Sequence, residues 1–395
     1  MAKVVIGLSG GVDSSVAAYL LKKQGHDLTA LFMINWHDTT GVLTGDCPWD
    51  NDLMFAQLVA KKLEIPFKTV DLSEQYRHKV VDYMFSEYQK GRTPNPDVLC
   101  NREIKFDVFI DEAFKLGAEF VATGHYCRKE ILNKDGKEIY RLLAGKDPNK
   151  DQSYFLCQLS QEQLKRAIFP IGDLLKQEVR AIAKELKLAS ADKKDSQGIC
   201  FVGKVDLPVF LQQKLLPKKG DIIEIPEEYY QHLPPIDENE SLESLRKIAE
   251  PFRYTSKDGK KVGEHNGAHY YTVGQRKGLN VGGKPLPLFV IATDIVENII
   301  FVGQGQNHPG LFRKALFIKK DEIHYTRKDL FFAENEERNY MVRHRYRQPL
   351  QEAKTKMDKE GLYIIFKSAQ RGITPGQFAA WYDNEELIGS GPIFE

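Results

Sequence analysis

Cysteine is scarce in this chain and carries no pattern. Five cysteines in 395 residues, none spaced as Cys-x-x-Cys, exclude a disulfide-stapled secreted scaffold and a conventional zinc finger. They are left as buried hydrophobes or reactive thiols, and no ligand spacing supports a metal or iron–sulfur site. Neither charge sign dominates. With a formal net charge of +1, nucleic acid would have to be gripped by a local basic patch rather than by a global excess. No apolar run approaches the length of a membrane span. Met1-Ala2-Lys3 leads straight into an apolar run without the layout of a signal or transit peptide, so a cytoplasmic location is expected. Internal repeats are absent, and the length allows two or three domains.

What is present begins at Lys3–Leu8, a β-branched run of strand length feeding Ser9-Gly10-Gly11-Val12-Asp13-Ser14-Ser15 and then an amphipathic helix over about Val12–Gln24. The glycines let backbone approach a ligand, and a helix N-terminus offers free N–H groups and partial positive charge to an anion. The closing Gly-Lys-[Ser/Thr] of the Walker form is missing. The stretch resembles the PP-loop of ATP pyrophosphatases, which cleave ATP between the α- and β-phosphates. Further strands are expected at Leu28–Ile34, Phe67–Asp71 and Phe120–Thr123, with helices at Leu53–Leu63, Glu74–Lys90 and Ile104–Leu116. Alternation of this kind predicts an α/β fold with a doubly wound parallel sheet, and ligands beyond the carboxyl ends of its strands, where Ser9, Met33 and Gly124 fall. The expected division is a catalytic domain over 1–206, a small central domain over 207–285 and a C-terminal β-barrel over 286–395. The last includes strands at Leu288–Ile291, Ile299–Val302, Leu362–Phe366 and Phe378–Tyr382. An acidic, Pro-rich stretch at Asp221–Asp258, with a short helix near Leu242–Ile248, reads as a solvated insertion outside the core.

Two cysteines stand in loops shaped for chemistry. In Gly91-Arg92-Thr93-Pro94-Asn95-Pro96-Asp97-Val98-Leu99-Cys100-Asn101, two prolines stiffen the segment and Cys100 is expected at a helix N-terminus, where the dipole favours thiolate. In Lys193-Lys194-Asp195-Ser196-Gln197-Gly198-Ile199-Cys200-Phe201, the lysines are placed to steady an anion on Cys200. Spacing alone favours reading either cysteine as a buried small hydrophobe; the polar, Gly/Pro-shaped loops beside a PP-loop shift the balance towards chemistry. Cys47, Cys127 and Cys157 read as structural.

These stretches, with Ala122-Thr123-Gly124-His125-Tyr126, Lys150-Asp151-Gln152-Ser153-Tyr154-Phe155, Gly263-Glu264-His265, His269–Leu279 and Thr374-Pro375-Gly376-Gln377, resemble the tRNA-specific 2-thiouridylase family across nearly the whole chain. The resemblance implies 2-thiolation of the wobble uridine in the tRNAs for Lys, Glu and Gln. ATP would be held by Gly7, Leu8, Ser9, Gly10, Gly11, Val12, Asp13, Ser14, Met33 and Gly124, with Mg2+ organised by Asp13 or Ser14. Cys200 would carry sulfur as a persulfide, Cys100 would be its partner thiol, and Asp97 the acid/base near the target base. Contacts to tRNA would come from Asn95, Pro96, Asp97, His125, Lys150, Asp151, Gln152, Arg345, Tyr346 and Gln377. The basic run Arg343–Arg347 and Gln275-Arg276-Lys277 are further candidates for phosphate contact. A persulfide-donor protein, a cysteine desulfurase or relay, is implied as partner; no membrane is, and one chain carries every needed group, as in a monomer. Competing readings are another PP-loop synthetase that uses ammonia, a tRNA lysidine synthetase, or a tRNA-binding protein that merely holds a nucleotide. None of these requires the cysteine pair.

Overall fold

The computed structural model describes residues 1–37, 49–195, 207–232 and 241–394. Five parallel strands, β1 (Lys3–Gly7), β2 (Asp27–Ile34), β3 (Phe67–Asp71), β4 (Phe120–Ala122) and β7 (Ala167–Ile168), form a sheet in the order β3-β2-β1-β4-β7. Successive residues of β1 and β2 face opposite layers. Val5, Leu31 and Met33 join one core with Tyr76, Phe85 and Phe109. Val4, Ile6, Ala30 and Phe32 join the other with Val16, Val59 and Val179. Helices therefore cover both faces, as the near-continuous apolar strands require. Strand order reverses around β1, so the crevice beyond the carboxyl ends of β1 and β4 is the topological switch point.

Two hairpin strands follow β4: β5 (Cys127–Lys134) and β6 (Lys137–Ala144), joined through Asp135 and Gly136, both at positive φ. This hairpin leaves the parallel sheet. Its β6 pairs with the last strand, β18 (Glu386–Pro392), and so extends the C-terminal antiparallel sheet. The remainder of that sheet comprises β12 (Phe312–Lys319), β13 (His324–Tyr325), β14 (Glu337–Arg343), β15 (Gln351–Met357), β16 (Gly361–Arg371) and β17 (Phe378–Asp383).

The middle of the chain departs from expectation. A separate four-stranded sheet runs β10-β11-β8-β9, built from β8 (Gly220–Glu224), β9 (Lys260–His265), β10 (Leu288–Asp294) and β11 (Ile299–Gln304). The runs at Leu288–Ile291 and Ile299–Val302, expected among the C-terminal strands, instead pair with this sheet. The acidic stretch is not a solvated excursion either. Ile222, Ile223, Ile225 and Tyr254 are core residues, and helix Leu242–Ala249 is present, with Leu245 and Ala249 buried against Ala315. A short apolar run between acidic flanks is averaged away in a composition window, yet four residues suffice for a strand. Residues 233–240 lie outside the described set.

Two helical expectations are also refined. Glu74–Lys90 is not one regular helix: Ser73–Tyr76 widens through a π-type stretch, Arg77–Val81, into Asp82–Gln89. The helix predicted from Ile104 begins at Pro96 and runs through Cys100–Val108 to Phe109–Lys115.

Candidate active site

The loop after β1 is shaped by its own short side chains. The Ser9 N–H donates to Ser14 Oγ at 3.2 Å, and the two hydroxyls lie 3.1 Å apart. Ser14 and Ser15 hydroxyls donate to the Gly11 carbonyl at 3.2 and 2.7 Å. Gly10 sits at φ +72°, and a Cβ there would lie 2.1 Å from the Asp52 carbonyl oxygen. Gly124, just beyond β4, presses on the start of helix Val12–Lys23: its Cβ would fall 2.6 Å from the Ser14 nitrogen. At Gly7 a Cβ would touch Met33 and Phe109 at ordinary distance. The three strand ends thus meet in one crevice, with the N-terminal N–H groups of the helix opening into it.

Cations gather round this loop. Lys176 Nζ lies 2.7 and 2.8 Å from the two carboxylate oxygens of Asp13, and the Tyr126 hydroxyl donates to the same group at 2.8 Å. Burial first, and Asp13 second, push the Tyr126 phenol far up, so it keeps its proton as a donor. Asp195 pairs with Lys176 (2.8 Å), Arg180 (2.8 Å) and Lys150 (2.6 Å). Burial works against its charge, but hydrogen bonds from Lys150 and Lys176 outweigh it and hold the carboxyl down at about 2. Lys193 binds Asp52 and lies 4.4 Å from the centre of the Phe55 ring. It is thus engaged beside Gly10, while Cys200, the expected partner of this lysine, lies outside the described residues.

Asn95 caps the helix that starts at Pro96, accepting from the Val98 N–H at 3.3 Å. Proline at the first helical position loses nothing, because that N–H has no intrahelical partner. Cys100 is consequently one turn inside the helix and fully buried, rather than at its N-terminus. Asp97 is half-buried, and its carbonyl accepts from Asn101 at 2.9 Å. The loop before the cap is tied to the far end of the chain: Gln377 donates to the Thr93 and Pro94 carbonyls at 2.9 and 3.1 Å, and Asn95 reaches Gln377 at 3.5 Å. A pocket of about 390 Å³ opens here, lined by Asn95, Thr272–Gln275, Arg345, Tyr346 and Gln377.

The expected tRNA-contacting residues divide into two sets. Asn95, Arg345, Tyr346 and Gln377 share that pocket, with Pro96 and Asp97 next to it in sequence. His125, by contrast, is only 8% exposed, bonded to Thr123 at 2.8 Å and packed against Phe106 and Phe169. Asp151 is 5% exposed; it accepts from the Gly145 and Ser153 N–H groups and pairs with Arg343 at 3.1 Å. Gln152 accepts from the Tyr126 N–H at 3.0 Å, and Lys150 holds Asp195. The run Arg343–Arg347 is not an exposed basic stripe: Arg343 and His344 point inward and Arg347 alone is exposed. Arg276 and Lys277 are exposed.

One short segment links cradle and pocket. Gln152 holds Tyr126, which holds Asp13; three residues on, Phe155 packs on Tyr346 with ring centres 4.1 Å apart, and its carbonyl accepts from Asn101 at 3.2 Å. Cys200 and Cys47 lie outside the described residues. Cys127 and Cys157 are buried; burial raises both thiols, Cys157 to about 12, which fits structural roles. Sequence reasoning missed Lys176 and Arg180. Neither stands in a distinctive motif; only the fold brings Lys176 to Asp13, 163 residues earlier in the chain, and sets Arg180 on Asp195 beside it.

Three family models match in succession: "tRNA methyl transferase HUP domain" over residues 2–204, "tRNA methyl transferase PRC-barrel domain" over 250–304, and "Aminomethyltransferase beta-barrel domain" over 314–393. The chain is 59% identical over 394 residues to the tRNA-specific 2-thiouridylase MnmA of Christiangramia forsetii, covering 100% of both. The same identity and coverage hold for the MnmA of Flavobacterium johnsoniae. That of Streptococcus thermophilus is 42% identical over 395 residues, covering 99% of this chain and 95% of the relative. The chain belongs to the tRNA-specific 2-thiouridylase family. It is thus a member of a family of tRNA uridine sulfurtransferases built on a PP-loop nucleotide-binding fold; the methyl-transfer wording attaches to the domain descriptions and not to the full-length relatives.

Proposed function

We propose that this protein converts the wobble uridine of the tRNAs for Lys, Glu and Gln to 2-thiouridine, using ATP and a sulfur relayed through Cys200 and Cys100. A uracil carbonyl oxygen does not leave unaided. Transfer of AMP to the 2-oxygen, with release of pyrophosphate, turns it into a leaving group. Cys200 receives a persulfide sulfur from a donor protein. In one route, the Cys100 thiolate attacks Cys200 Sγ and expels hydrosulfide, which displaces AMP from C2. In the other, the persulfide's terminal sulfur displaces AMP, and Cys100 then attacks Cys200 Sγ to free the thiolated base. Either route leaves a Cys100–Cys200 disulfide for reductant to reset. Asp97, between the N-cap Asn95 and Cys100 in sequence, would accept or return the proton of the target base.

The observation that carries this reading is the Lys150–Phe155 segment: Gln152 bonds the Tyr126 N–H, the Tyr126 hydroxyl holds Asp13 of the cradle, and Phe155 packs on Tyr346 in the wall of the pocket. An extruded base stacked near Tyr346 and an ATP seated on Ser9–Ser14 would thereby be presented to each other; extrusion from a single-stranded loop costs at most a few kcal/mol. Magnesium is a separate matter. Asp13 is occupied by Lys176 and Tyr126, Ser14 bonds Gly11, and no group of three His, Cys, Asp or Glu among the described residues could hold a metal. These residues do not fit a protein-held ion, so magnesium would be brought by the nucleotide.

The test is to incubate the protein with magnesium-ATP, a persulfide donor and unmodified tRNA, and to identify the nucleosides by mass spectrometry. Sulfur should appear at position 2 of the wobble uridine. Cys100→Ala and Cys200→Ala should each abolish it while ATP and tRNA still bind. Wild-type thiolation by either variant refutes the relay, whereas tRNA-dependent ATP turnover with no sulfur incorporated favours an ammonia-using or lysidine-type synthetase. ATP consumption that does not depend on tRNA refutes the reading more broadly.

A further inference from the structure

We propose that Lys150 and Lys176 grip the β- and γ-phosphates of ATP, and that these phosphates compete with Asp195, which pairs with both lysines, and displace it. The proposal rests on the reading of Ser9–Ser14 as a nucleotide cradle. Its starting point is an imbalance. The single carboxylate of Asp195 receives three cations, Lys150 at 2.6 Å and Lys176 and Arg180 at 2.8 Å each. Lys176 is 8% exposed and is the first residue of helix Lys176–Glu185, where the helix dipole opposes a cation. It points at Asp13, in the first turn of helix Val12–Lys23, a second N-terminus with the same unfavourable polarity. Two helix starts meet at Asp13, and three cations converge on Asp195 beside it through the shared Lys176; together they make a site for a polyanion, which a lone carboxylate fills only in part.

The three cations are not equivalent. Arg180 also donates to the Ala191 and Lys193 carbonyls at 3.3 and 3.2 Å, so it fixes the backbone that delivers Asp195. Among the described residues, the ammonium groups of Lys150 and Lys176 bond only to carboxylates. They can pass to phosphate oxygens without uncovering a main-chain group. The strongly held ionised state of Asp195 means that it competes as a full anion at any pH at which the enzyme would work. Exchange then replaces one carboxylate by a polyphosphate on the same two ammonium groups, and the pyrophosphate that leaves is held there as its charge develops.

Calorimetric titration of the full-length chain with ATP, AMP and pyrophosphate tests this. Asp195→Asn keeps shape and removes the competing charge; ATP and pyrophosphate should bind about threefold to tenfold more tightly, with AMP unchanged. Lys176→Met should weaken ATP and pyrophosphate by roughly tenfold or more and AMP by less than about twofold. Lys150→Met, at a more exposed position, should show the same selectivity, and decides the matter if Lys176→Met fails to fold. An Asp195→Asn enzyme that binds ATP no better than wild type, or lysine variants that lose AMP as much as ATP, overturn the proposal. Wild-type protein that binds no ATP at all overturns the nucleotide reading of the loop, and this proposal with it.

Discussion

Arg345 is the residue whose position says most about its task. Its guanidinium donates to the Val273 carbonyl and to Thr374 Oγ1, both at 3.0 Å, which fixes it on the wall of the pocket. Five donors in a planar fork leave several free for a ligand oxygen once two are used internally. Arg345→Ala should therefore weaken tRNA binding and flatten its salt dependence by about one unit of slope. Arg345→Lys should restore the slope but not the full affinity, because an ammonium cannot hold both internal partners and still reach outward. Filter binding across a potassium chloride series reads both quantities, and a slope identical to wild type in the alanine variant removes Arg345 from the interface. Tyr346 beside it packs on Phe155 with the rings tilted by 35°, so a base stacked on Tyr346 would meet a ring already held in place. His125 illustrates the opposite case. Its place in Thr123-Gly124-His125 suggested contact with RNA, but its ring packs against Phe106 and Phe169, so its service is to hold the turn that carries Gly124.

Among elements, the junction between β4 and the first helix is a close backbone approach. Gly124 has space for no side chain: a Cβ would lie 2.6 Å from the Ser14 nitrogen and 2.8 Å from the Asp13 carbonyl carbon, both backbone atoms that cannot swing aside. Gly124→Ala should push the helix N-terminus off the strand end, with a stability loss of about 1–3 kcal/mol and a larger loss in ATP affinity. Urea denaturation and nucleotide titration of the same variant separate the two effects; an alanine enzyme that binds ATP normally would show that the close approach is not needed. This junction was legible in the sequence, since strand, glycines and helix are consecutive there and the second glycine follows another strand end. The start of the Pro96 helix was written in the sequence too, as an Asn-Pro cap and first position, but two prolines close together read more readily as a stiff loop. The β5–β6 hairpin likewise carried its signal in Asp135-Gly136, a dipeptide suited to a turn with two positive φ angles. What the sequence could not disclose was which sheet that hairpin would join. Nor could it place Lys176 against Asp13, since pairing across 163 residues is a property of the fold and not of any local pattern.

At the scale of the molecule, the C-terminal sheet is bound to the catalytic layer by buried polar bonds rather than by a thin linker. The Ser153 and Tyr382 hydroxyls are 3.1 Å apart, Gln158 donates to Ser390, Tyr154 to the Phe378 carbonyl, and Arg343 pairs with Asp151. Histidines are buried in the same body. Burial lowers the pKa of His125, His265, His308, His324 and His344; for His344 the fall, helped by Arg345 and Arg313, reaches about 3. The sign follows directly. Above about pH 6.5 these rings are neutral whether the chain is folded or not, and they exert no pH-dependent pull. As pH falls below that value the unfolded chain takes up protons that the native rings refuse, so stability drops, by up to about 1.4 kcal/mol per pH unit for each such ring, until the native pKa is reached. Unfolding in urea should accordingly need less denaturant at pH 5 than at pH 7. His344 allows the cause to be isolated, because its ring is 1% exposed and neither nitrogen has a hydrogen-bond partner among the described residues. His344→Leu therefore sacrifices no bond, and whatever it does to stability at pH 7, it should lower the slope between pH 6.5 and pH 5 by about 1.4 kcal/mol per unit. A variant whose stability falls with acid as steeply as that of wild type would mean that His344 accepts its proton in the folded protein, and that the interior around it is far more polar than its packing against Phe366 implies.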